Sequence, residues 1–382
     1  MPADVPPPAY VWHLPRGFPT PAVPADNPMS ESKVALGRRL FFEQRLSLTG
    51  AYSCASCHDP ARSFTDGRSV AVGATGEPLP HSAMALVNVA YNVSFGWTKP
   101  DLASLEAQML EPLLNEHPVE LGLAGRQQQA AATVATDPAY AASFAAAFPE
   151  SHAPVSFDNI VKAIAAFERT LISGDSAFDR YVFGGQQDAL SPSAKRGMAL
   201  FFSARAGCSG CHSGFNFSGS WRDVEGDTGK PPFVSNGTTP EPLRVPTLRN
   251  ISLTAPYMHD GRFATLEAVL DHYAAMAQKP RGPCDDARNA EHGVDGKGVP
   301  PLVQQCLDPC AAANAEDGGM HQPMRQCIDL RLRTFDLSAP ERAQLIEFLQ
   351  SLTDLSWTER FTVRAPAAQA TELRAMPGQA GR

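Results

Sequence analysis

Two short stretches of the sequence combine a pair of thiols with an imidazole. Residues 54–58 (CASCH) and 208–212 (CSGCH) both follow the pattern Cys-x-x-Cys-His. Two thiols at this spacing can form thioethers with the two vinyl groups of one porphyrin, and the adjacent histidine then reaches the iron. The motifs predict two covalently bound haem c groups, with His58 and His212 as iron ligands. The predicted attachment residues are Cys54, Cys57, Cys208 and Cys211.

The same motif has two other interpretations, a redox-active Cys-x-x-Cys pair and half of a zinc site. A zinc site needs two further ligands at a matched spacing, and redox pairs rarely continue into histidine. Because the pattern occurs twice, haem attachment is favoured. Attachment takes place outside the cytoplasm, so the motifs also predict a periplasmic protein. Residues 1–30 are proline-rich and lack the apolar segment of a signal peptide, so no export signal is visible.

Composition narrows the class of protein further. A chain of 382 residues is long for one hydrophobic core, so two domains are expected. The formal net charge of -8 argues against nucleic-acid binding, which needs a basic surface. No run approaches the roughly 18 consecutive apolar residues that a membrane span requires.

A six-residue pattern precedes each haem motif, GRRLFF at 37–42 and GMALFF at 197–202. Such internal similarity indicates a duplicated cytochrome unit with a boundary near Gly184. The predicted organisation is an extended N-terminal arm (1–30), a first, peroxide-reactive haem domain (31–184), a second haem domain for electron relay (185–363) with a cysteine-rich insert (281–329), and a mobile tail (364–382).

The elements that must position these motifs are helices joined by long, irregular loops. An apolar period of 3.6 residues predicts helices, and Ser338 with Glu341 is typical of a helix start. We therefore expect a mainly α fold of two tandem c-type cytochrome domains. The predicted helices span residues 33–43, 102–114, 157–172, 194–203, 265–277 and 339–352.

Beyond the motifs, the sequence resembles the bacterial di-haem cytochrome c peroxidase family, which includes MauG. The resemblance covers roughly residues 30–355 and rests on four stretches besides the haem motifs. These are 64–68 (FTDGR), 248–250 (LRN), 254–261 (TAPYMHDG) and 349–353 (LQSLT).

Two further stretches, 10–19 (YVWHLPRGFP) and 88–92 (NVAYN), look like the MbnH branch of this family. The resemblance implies the di-haem peroxidase fold, with one haem that reacts with hydrogen peroxide and another that stores or relays electrons. For the branch it implies a high-valent, bis-ferryl-type di-iron state that oxidises a tryptophan to kynurenine on the copper-binding partner MbnP.

The resemblance also implies where the second haem's distal ligand lies, fourteen residues after the histidine of the Pro-Tyr-x-His motif. Counting from His259 arrives at Tyr273, where ordinary peroxidases of the family have methionine and MauG-like enzymes have tyrosine. The apolar period of the helix over 265–277 independently turns Tyr273 inward. Met276 shares that face, so a Met276 ligand beside a merely structural Tyr273 stays open. A hard phenolate favours oxidised iron.

The first haem site lacks a matching distal ligand. Family peroxidases carry a distal histidine at the position that is Ala74 here. His81 lies nearby and could bind the iron in a resting state, although it could equally be a loop histidine. We expect an open or water-bound iron beside His58, ready for peroxide.

The resemblance implies two further functional residues. Residues 118–122 (PVELG) resemble the family segment that holds the distal glutamate, which makes Glu120 the candidate acid/base for peroxide cleavage. Glu120 could instead be an exposed carboxylate at a helix start. Trp97 stands in the place of the family tryptophan between the haems, where it would carry oxidising equivalents, or it could be a core residue.

A calcium ion between the haems is also implied by the resemblance. The carbonyl ligands would come from Thr254 and Pro256, and Ser82 occupies the position that usually holds an asparagine ligand. The remaining cysteines are expected to form two disulfides in an oxidising compartment, with three possible pairings and with zinc as the alternative. They are Cys284, Cys306, Cys310 and Cys327.

Three functions remain open from the sequence. The first is a MauG-like or MbnH-like oxidase that uses hydrogen peroxide to oxidise a residue of a periplasmic protein. The second is an ordinary di-haem cytochrome c peroxidase, fed by a small cytochrome or cupredoxin and ligated through Met276. The third is an electron carrier without enzymatic activity, which requires both irons to be closed by protein ligands.

Overall fold

The computed structural model describes residues 10–228, 233–234, 242–277 and 335–362. Most of the regular structure is helical, which confirms the expected mainly α fold. The α-helices are α1 (Glu31–Phe41), α2 (Leu105–Leu114), α3 (Gln127–Ala135), α4 (Pro138–Ala147), α5 (Phe157–Glu168), α6 (Ala177–Val182), α7 (Pro192–Phe201), α8 (Leu266–Ala277), α9 (Ala339–Gln350) and α10 (Ser356–Thr362). Antiparallel two-residue strands pair as β1 (Arg222–Asp223) with β2 (Gly226–Asp227) and β3 (Phe233–Val234) with β4 (Leu243–Arg244).

Side-chain caps decide where the predicted helices begin. Ser30 accepts a hydrogen bond from a backbone N–H of the first turn, so α1 begins before the predicted residue 33. Ser338 and Glu341 form the predicted capping box of α9. The helix expected over 102–114 begins only after the cap at Ser104.

Four predicted helix ends and three short helices differ from the sequence-based expectation. Helix α5 stops at Glu168 rather than at residue 172, because the N–H groups of Thr170 and Leu171 donate to carbonyls three residues back instead of four. Helices α1, α7 and α9 end two residues early. Helices α3 and α4 are alanine-rich and α6 is only six residues long, so none has a clear apolar period.

Each of the two GxxLFF helices packs on a later helix at its glycine. A Cβ atom on Gly37 of α1 would lie 1.8 Å from the carbonyl oxygen of Ala163 in α5. A Cβ atom on Gly197 of α7 would lie 1.9 Å from the carbonyl oxygen of Gln344 in α9. Both helix pairs therefore touch through their backbones, and only glycine permits this contact.

The apolar side chains form two main clusters. One is built largely on α1 to α5, and the other on α7, α8 and α9. Helix α10 returns to the first cluster, where Trp357 is fully buried and packs against Phe64 with ring centroids 5.9 Å apart. The arm residues 10–30 contain no helix before α1, and Phe18 anchors them in a small third cluster. The predicted domain boundary near Gly184 stays a prediction.

Two buried asparagines join the halves of the molecule. Asn88 and Asn250 both adopt left-handed backbone conformations, with φ of 57° and 58°. Asn88 accepts a hydrogen bond from Ser173 N (2.8 Å), and Asn250 accepts one from Asp354 N (2.9 Å). Ser173 Oγ also donates to Asn250 Oδ1, which lies in the other half (3.2 Å). Buried polar groups that satisfy one another in this way fix a unique arrangement.

The four cysteines of the predicted disulfides, the insert 281–329 that contains them and the tail 364–382 lie outside the described residues, as do residues 1–9 of the arm. In the part of the chain that is described, no helix has both the length and the apolarity to cross a bilayer.

Candidate functional site

The two motif histidines are held in the same way. His58 Nδ1 lies 2.8 Å from the carbonyl oxygen of Phe64, and His212 Nδ1 lies 3.0 Å from that of Phe217. An Nδ1–H that donates to a carbonyl leaves the Nε2 lone pair available to a metal. Burial lowers the pKa of both imidazoles, so both rings are neutral near pH 7, as iron ligation requires.

Left-handed backbone conformations direct these two carbonyls. Phe64 has φ of 60° and Phe217 has φ of 50°, values that bulky residues rarely adopt. Both phenylalanine rings are fully buried, so packing holds the strained backbone in place. The repeated geometry means that the two motifs are two copies of one attachment site.

The second motif opens onto a deep, mostly apolar cavity that also contains the predicted ligand Tyr273. Tyr273 comes from α8, whose residues Leu266 and Leu270 are buried on the same side, as the apolar period predicts. Burial and then the thiols of Cys211 and Cys208 raise the pKa of Tyr273 to about 12. The side chain of Met276 lies outside the described part of the chain. The cavity is lined by Trp97, Phe201, Cys208, Cys211, His212, Arg244, Leu248, His259, Arg262, Leu270 and Tyr273, among others.

Both attachment sites fit a covalently bound haem. At each, two thiols and a neutral imidazole stand at the spacing that one porphyrin needs, and at the second a large apolar cavity adjoins them. The cavity walls supply the dry surroundings that a macrocycle requires.

Trp97 lies between residues of the two halves. Its indole Nε1–H donates to the carbonyl of Ser82 (3.0 Å), and its own carbonyl accepts from Arg244 N (2.8 Å). The ring centroids of His81 and His259 lie 6.5 and 6.4 Å from the Trp97 ring. Trp97 borders both the large cavity and a smaller one that residues 65–68 also line. The role of Trp97 between two haems stays a prediction.

The His81 ring packs against the rings of Trp97 and His259. Its centroid is 5.6 Å from that of His259, and its carbonyl accepts a hydrogen bond from Ala71 N. Its role as a ligand of the first iron stays a prediction.

The three residues expected to bind calcium line the smaller cavity together. Ser82, Thr254 and Pro256 all border it, and Ser82 Oγ donates to the carbonyl of Met258 (3.0 Å). Asp66 borders it as well, and its buried Oδ2 makes no hydrogen bond with the described residues. The oxygen donors suit a hard cation. Among the described residues, no cluster of three or more His, Cys, Asp or Glu side chains offers an alternative metal site.

Glu120 is half-buried and follows α2 rather than starting a helix. Its carbonyl accepts a hydrogen bond from Ala74 N (2.7 Å), so the loop that lacks the distal histidine packs directly on the Glu120 segment. Burial and then Glu111 raise the pKa of the Glu120 carboxyl, while Lys99 lowers it. The Glu120 charge also acts on the thiol of Cys57, which places the carboxyl near the first motif.

Glu168 was missed by the sequence analysis. It ends α5 with 3% of its surface exposed, and its Oε2 makes no hydrogen bond with the described residues. Burial raises its pKa to about 8, against the opposing effect of Arg169, which is itself paired with Glu106 (2.6 Å). The Glu168 charge acts on Cys54 of the first motif. A carboxylate within the apolar period of α5 was the only signal in the sequence.

Arg244 was also missed. Its signal was a cation within the apolar stretch 243–246 (LRVP), and this stretch runs into the LRN segment. In the fold, Arg244 has 5% of its surface exposed and borders the cavity of the second motif.

Comparison with known proteins places this geometry in a family. Residues 31–187 match the family model described as di-haem cytochrome c peroxidase. The methylamine utilization protein MauG of Methylorubrum extorquens is 38% identical over 266 residues, which cover 67% of this chain and 72% of that protein. The chain belongs to the di-haem cytochrome c peroxidase family. Its two Cys-x-x-Cys-His sites are accordingly sites for two haem c groups, and family membership supports an oxidoreductase that acts with peroxide.

Other members are similar over comparable lengths. Cytochrome c551 peroxidase of Pseudomonas aeruginosa is 33% identical over 74% of this chain and 84% of that protein. Among solved structures, a MauG-like protein associated with microbial copper homeostasis has a TM-score of 0.73 at 35% identity, covering 92% of this chain and 97% of that one. The di-haem peroxidase BthA of Burkholderia thailandensis shares the fold, with a TM-score of 0.58 at 20% identity, covering 90% of this chain and 92% of that one.

Glu168 predicts a specific pH dependence of stability. Its folded pKa, about 8, lies above the ordinary value of 4.5, so the protonated form is favoured on folding. The stability it contributes is fully present below about pH 4.5 and is lost as the pH rises through about 8. We expect the unfolding temperature of the holoprotein to fall between pH 5 and pH 9, and Glu168→Gln to remove most of that fall.

Calorimetry at pH 5, 7 and 9 measures this effect. The control is Glu116→Gln, which removes an exposed carboxylate and should leave the pH profile unchanged. If the Glu168→Gln protein lost stability with pH as steeply as the parent, the assignment of a neutral buried Glu168 would be wrong.

Proposed function

We propose that this chain is a periplasmic oxidase that uses hydrogen peroxide to convert a tryptophan of a copper-binding partner protein, of the MbnP kind, to kynurenine. The observation that carries the proposal is the position of Tyr273, whose phenol lines the same cavity as His212 and both cysteines of the second motif. The similarity to a MauG-like protein associated with copper homeostasis supports the choice of partner.

In this proposal the second site is closed and the first is open. His212 and Tyr273 would both bind the second iron, and His58 alone would bind the first. When bound, the two haems supply the iron that reacts with peroxide and stores its oxidising equivalents. Tyr273 stabilises oxidised iron, because a phenolate oxygen is a hard, anionic ligand.

Glu120 is the proposed acid/base of the first site. Peroxide cleavage requires a proton to move from one peroxide oxygen to the other. The Glu120 carboxylate accepts this proton and delivers it to the other oxygen. It must therefore be ionised at the start of the reaction. Ala74, in place of a histidine, leaves this side of the site open to peroxide.

Trp97 is the proposed route for electrons between the two sites. Two hydrogen bonds hold Trp97 in place. Its ring nitrogen donates to the Ser82 carbonyl, and its backbone carbonyl accepts from Arg244 N. A fixed aromatic ring between two redox sites shortens each electron-transfer step. The partner would be oxidised at a distance, without entering either cavity.

The second candidate is an ordinary di-haem cytochrome c peroxidase, which reduces peroxide with electrons from a small cytochrome or cupredoxin. The 33% identity to the peroxidase of Pseudomonas aeruginosa favours it. This function requires Met276 rather than Tyr273 as the ligand. The two candidate functions therefore differ in which of these side chains binds the second iron.

Replacement of Tyr273 tests the proposal most directly. Tyr273→Phe should convert the second haem from low spin to high spin, because the only change is loss of the ligating oxygen. Electron paramagnetic resonance of the diferric protein measures this. The control is Tyr257→Phe, which removes a phenol from the wall of the same cavity and should leave the spectrum unchanged.

The partner reaction completes this test. Diferric wild-type protein and stoichiometric peroxide should convert a tryptophan of the copper-binding partner to kynurenine, detected by peptide mass spectrometry. Tyr273→Phe should abolish the product, and Trp97→Phe should slow it at least tenfold. An unchanged low-spin signal in Tyr273→Phe, or peroxide turnover only with a reduced cytochrome or cupredoxin donor, would favour the second candidate. Recovery of holoprotein from the cytoplasmic fraction would contradict the periplasmic assignment.

Glu120 predicts a pH dependence of the peroxide reaction. The pKa of the carboxyl is raised and only the ionised form accepts a proton, so the rate constant should increase as the pH rises through this pKa. Stopped-flow mixing of diferric protein with peroxide measures the rate. Glu120→Gln should lower it by about 10²-fold or more and remove the pH dependence. Glu116→Gln, which alters an exposed carboxylate nearby, is the control and should match the wild type.

We also propose one calcium ion in the smaller cavity, bound by the carbonyls of Thr254 and Pro256 with Ser82 and Asp66 beside them. Wild-type protein dialysed into calcium-free buffer should retain about one equivalent of calcium by atomic emission. Asp66→Ala should lose it, whereas Asp101→Ala, at an exposed position, should not. Equal calcium content in both variants would exclude Asp66 from the site, and none in the wild type would exclude the ion.

A further inference from the structure

Arg244 is a buried cation whose contacts are all neutral. Its Nη2 donates to Asn92 Oδ1 at 2.7 Å, and its Nη1 lies 3.3 Å from the sulfur of Met84. Among the described residues no carboxylate forms an ion pair with Arg244. Desolvation lowers its pKa to about 10, and no charged group opposes that effect.

The other two buried arginines of the described residues are each paired with a carboxylate. Arg169 is paired with Glu106 at 2.6 Å, and Arg249 with Asp179 at 2.9 Å. Lys33 donates to Asn27 Oδ1 and to the Pro28 carbonyl, and Glu150 acts to raise its pKa. Burying an unpaired ion costs several kcal/mol, so proteins place an anion beside it. Arg244 therefore requires an anion that the described residues do not supply.

The location of Arg244 indicates the source of that anion. Its side chain borders the cavity that contains Cys208, Cys211 and His212, where the second haem is attached. A haem carries two propionate carboxylates, and a planar guanidinium can bind a carboxylate through two parallel hydrogen bonds. We infer that Arg244 binds a propionate of the second haem and sets the reduction potential of that haem. This inference rests on family membership and not on the identity of the oxidised substrate.

The same residue links the propionate to the proposed electron route. Arg244 lies in β4, and its backbone N–H donates to the Trp97 carbonyl. Arg244 is thus a positioning residue, since it acts through the haem and through Trp97. A cation beside the haem also disfavours the extra positive charge of ferric iron, so it opposes the effect of Tyr273 on the potential.

The cavity offers a matched control for the charge of Arg244. Arg262 also borders the cavity, but its Nε lies 2.8 Å from both carboxylate oxygens of Asp260, so it is already neutralised. It is also about a third exposed. The other titratable side chains that line the cavity are the same in the Arg244 and Arg262 variants. A difference in potential between these variants therefore reports the charge of Arg244 alone. These side chains are His212, Tyr257, His259, His272 and Tyr273.

Redox titration of the holoprotein, followed by the spectrum of the second haem, tests the inference. At pH 8, Arg244→Gln should shift the ferric–ferrous equilibrium at least tenfold toward ferric, which is about 59 mV for one electron. The difference should shrink at pH 6, because a propionate without its cation takes up a proton. Arg244→Lys, which keeps the charge, should stay within about threefold of wild type. Arg262→Gln should leave the potential unchanged.

Unchanged potentials in Arg244→Gln at both pH values would overturn the inference, as would an equal shift in Arg262→Gln. A crystal structure of the wild-type holoprotein decides the matter even if Arg244→Gln fails to mature. A guanidinium nitrogen within about 3 Å of a propionate oxygen supports the pairing. A protein carboxylate in that position, from residues outside the described ranges, overturns it.

Discussion

A single hydrogen bond at each motif, from the proximal imidazole to a backbone carbonyl, is the constraint on which both sites depend. It fixes the tautomer and orientation of His58 and His212, and it exists because Phe64 and Phe217 hold left-handed backbones. Packing must stabilise these two strained backbone conformations. The aromatic cluster around each phenylalanine does so, and it forms only because the helix pairs meet backbone to backbone at their glycines. The repeated GxxLFF pattern reflects this requirement for a glycine at the helix contact and for aromatic side chains beside it.

Duplication alone would give two similar cytochromes, but the buried asparagines make them one unit. Asn88 and Asn250 bond in corresponding ways within their own halves and share Ser173 across the boundary. Because these polar groups are fully buried, their partners cannot exchange with water without cost. The distance between the two sites is thereby fixed, and Trp97 can be placed between them with both ends bonded.

Function arises where the two copies differ. At the second site α8 brings Tyr273 into the cavity, whereas at the first the corresponding side is a loop with Ala74 against the Glu120 segment. The electrostatics differ as well. Arg244 stands at the second site without an anion among the described residues, and Glu168 stands near the first with its pKa raised. In the proposed function, the site at His212 is closed by Tyr273 and the site at His58 is open to peroxide.

The sequence by itself determined the haem attachment residues, the family, the mainly α class and the inward face of α8. These follow from local spacing, which fixes thioether chemistry and helical periodicity. Only the tertiary structure decided which side chains meet across the two halves. The local sequence does not show what Arg244, Glu168 and the asparagine pair contact, because their environment is made by residues 77 to 187 positions away in the chain or by burial itself. Charge, burial and hydrogen bonding are properties of that assembled environment, so a linear pattern could not predict them.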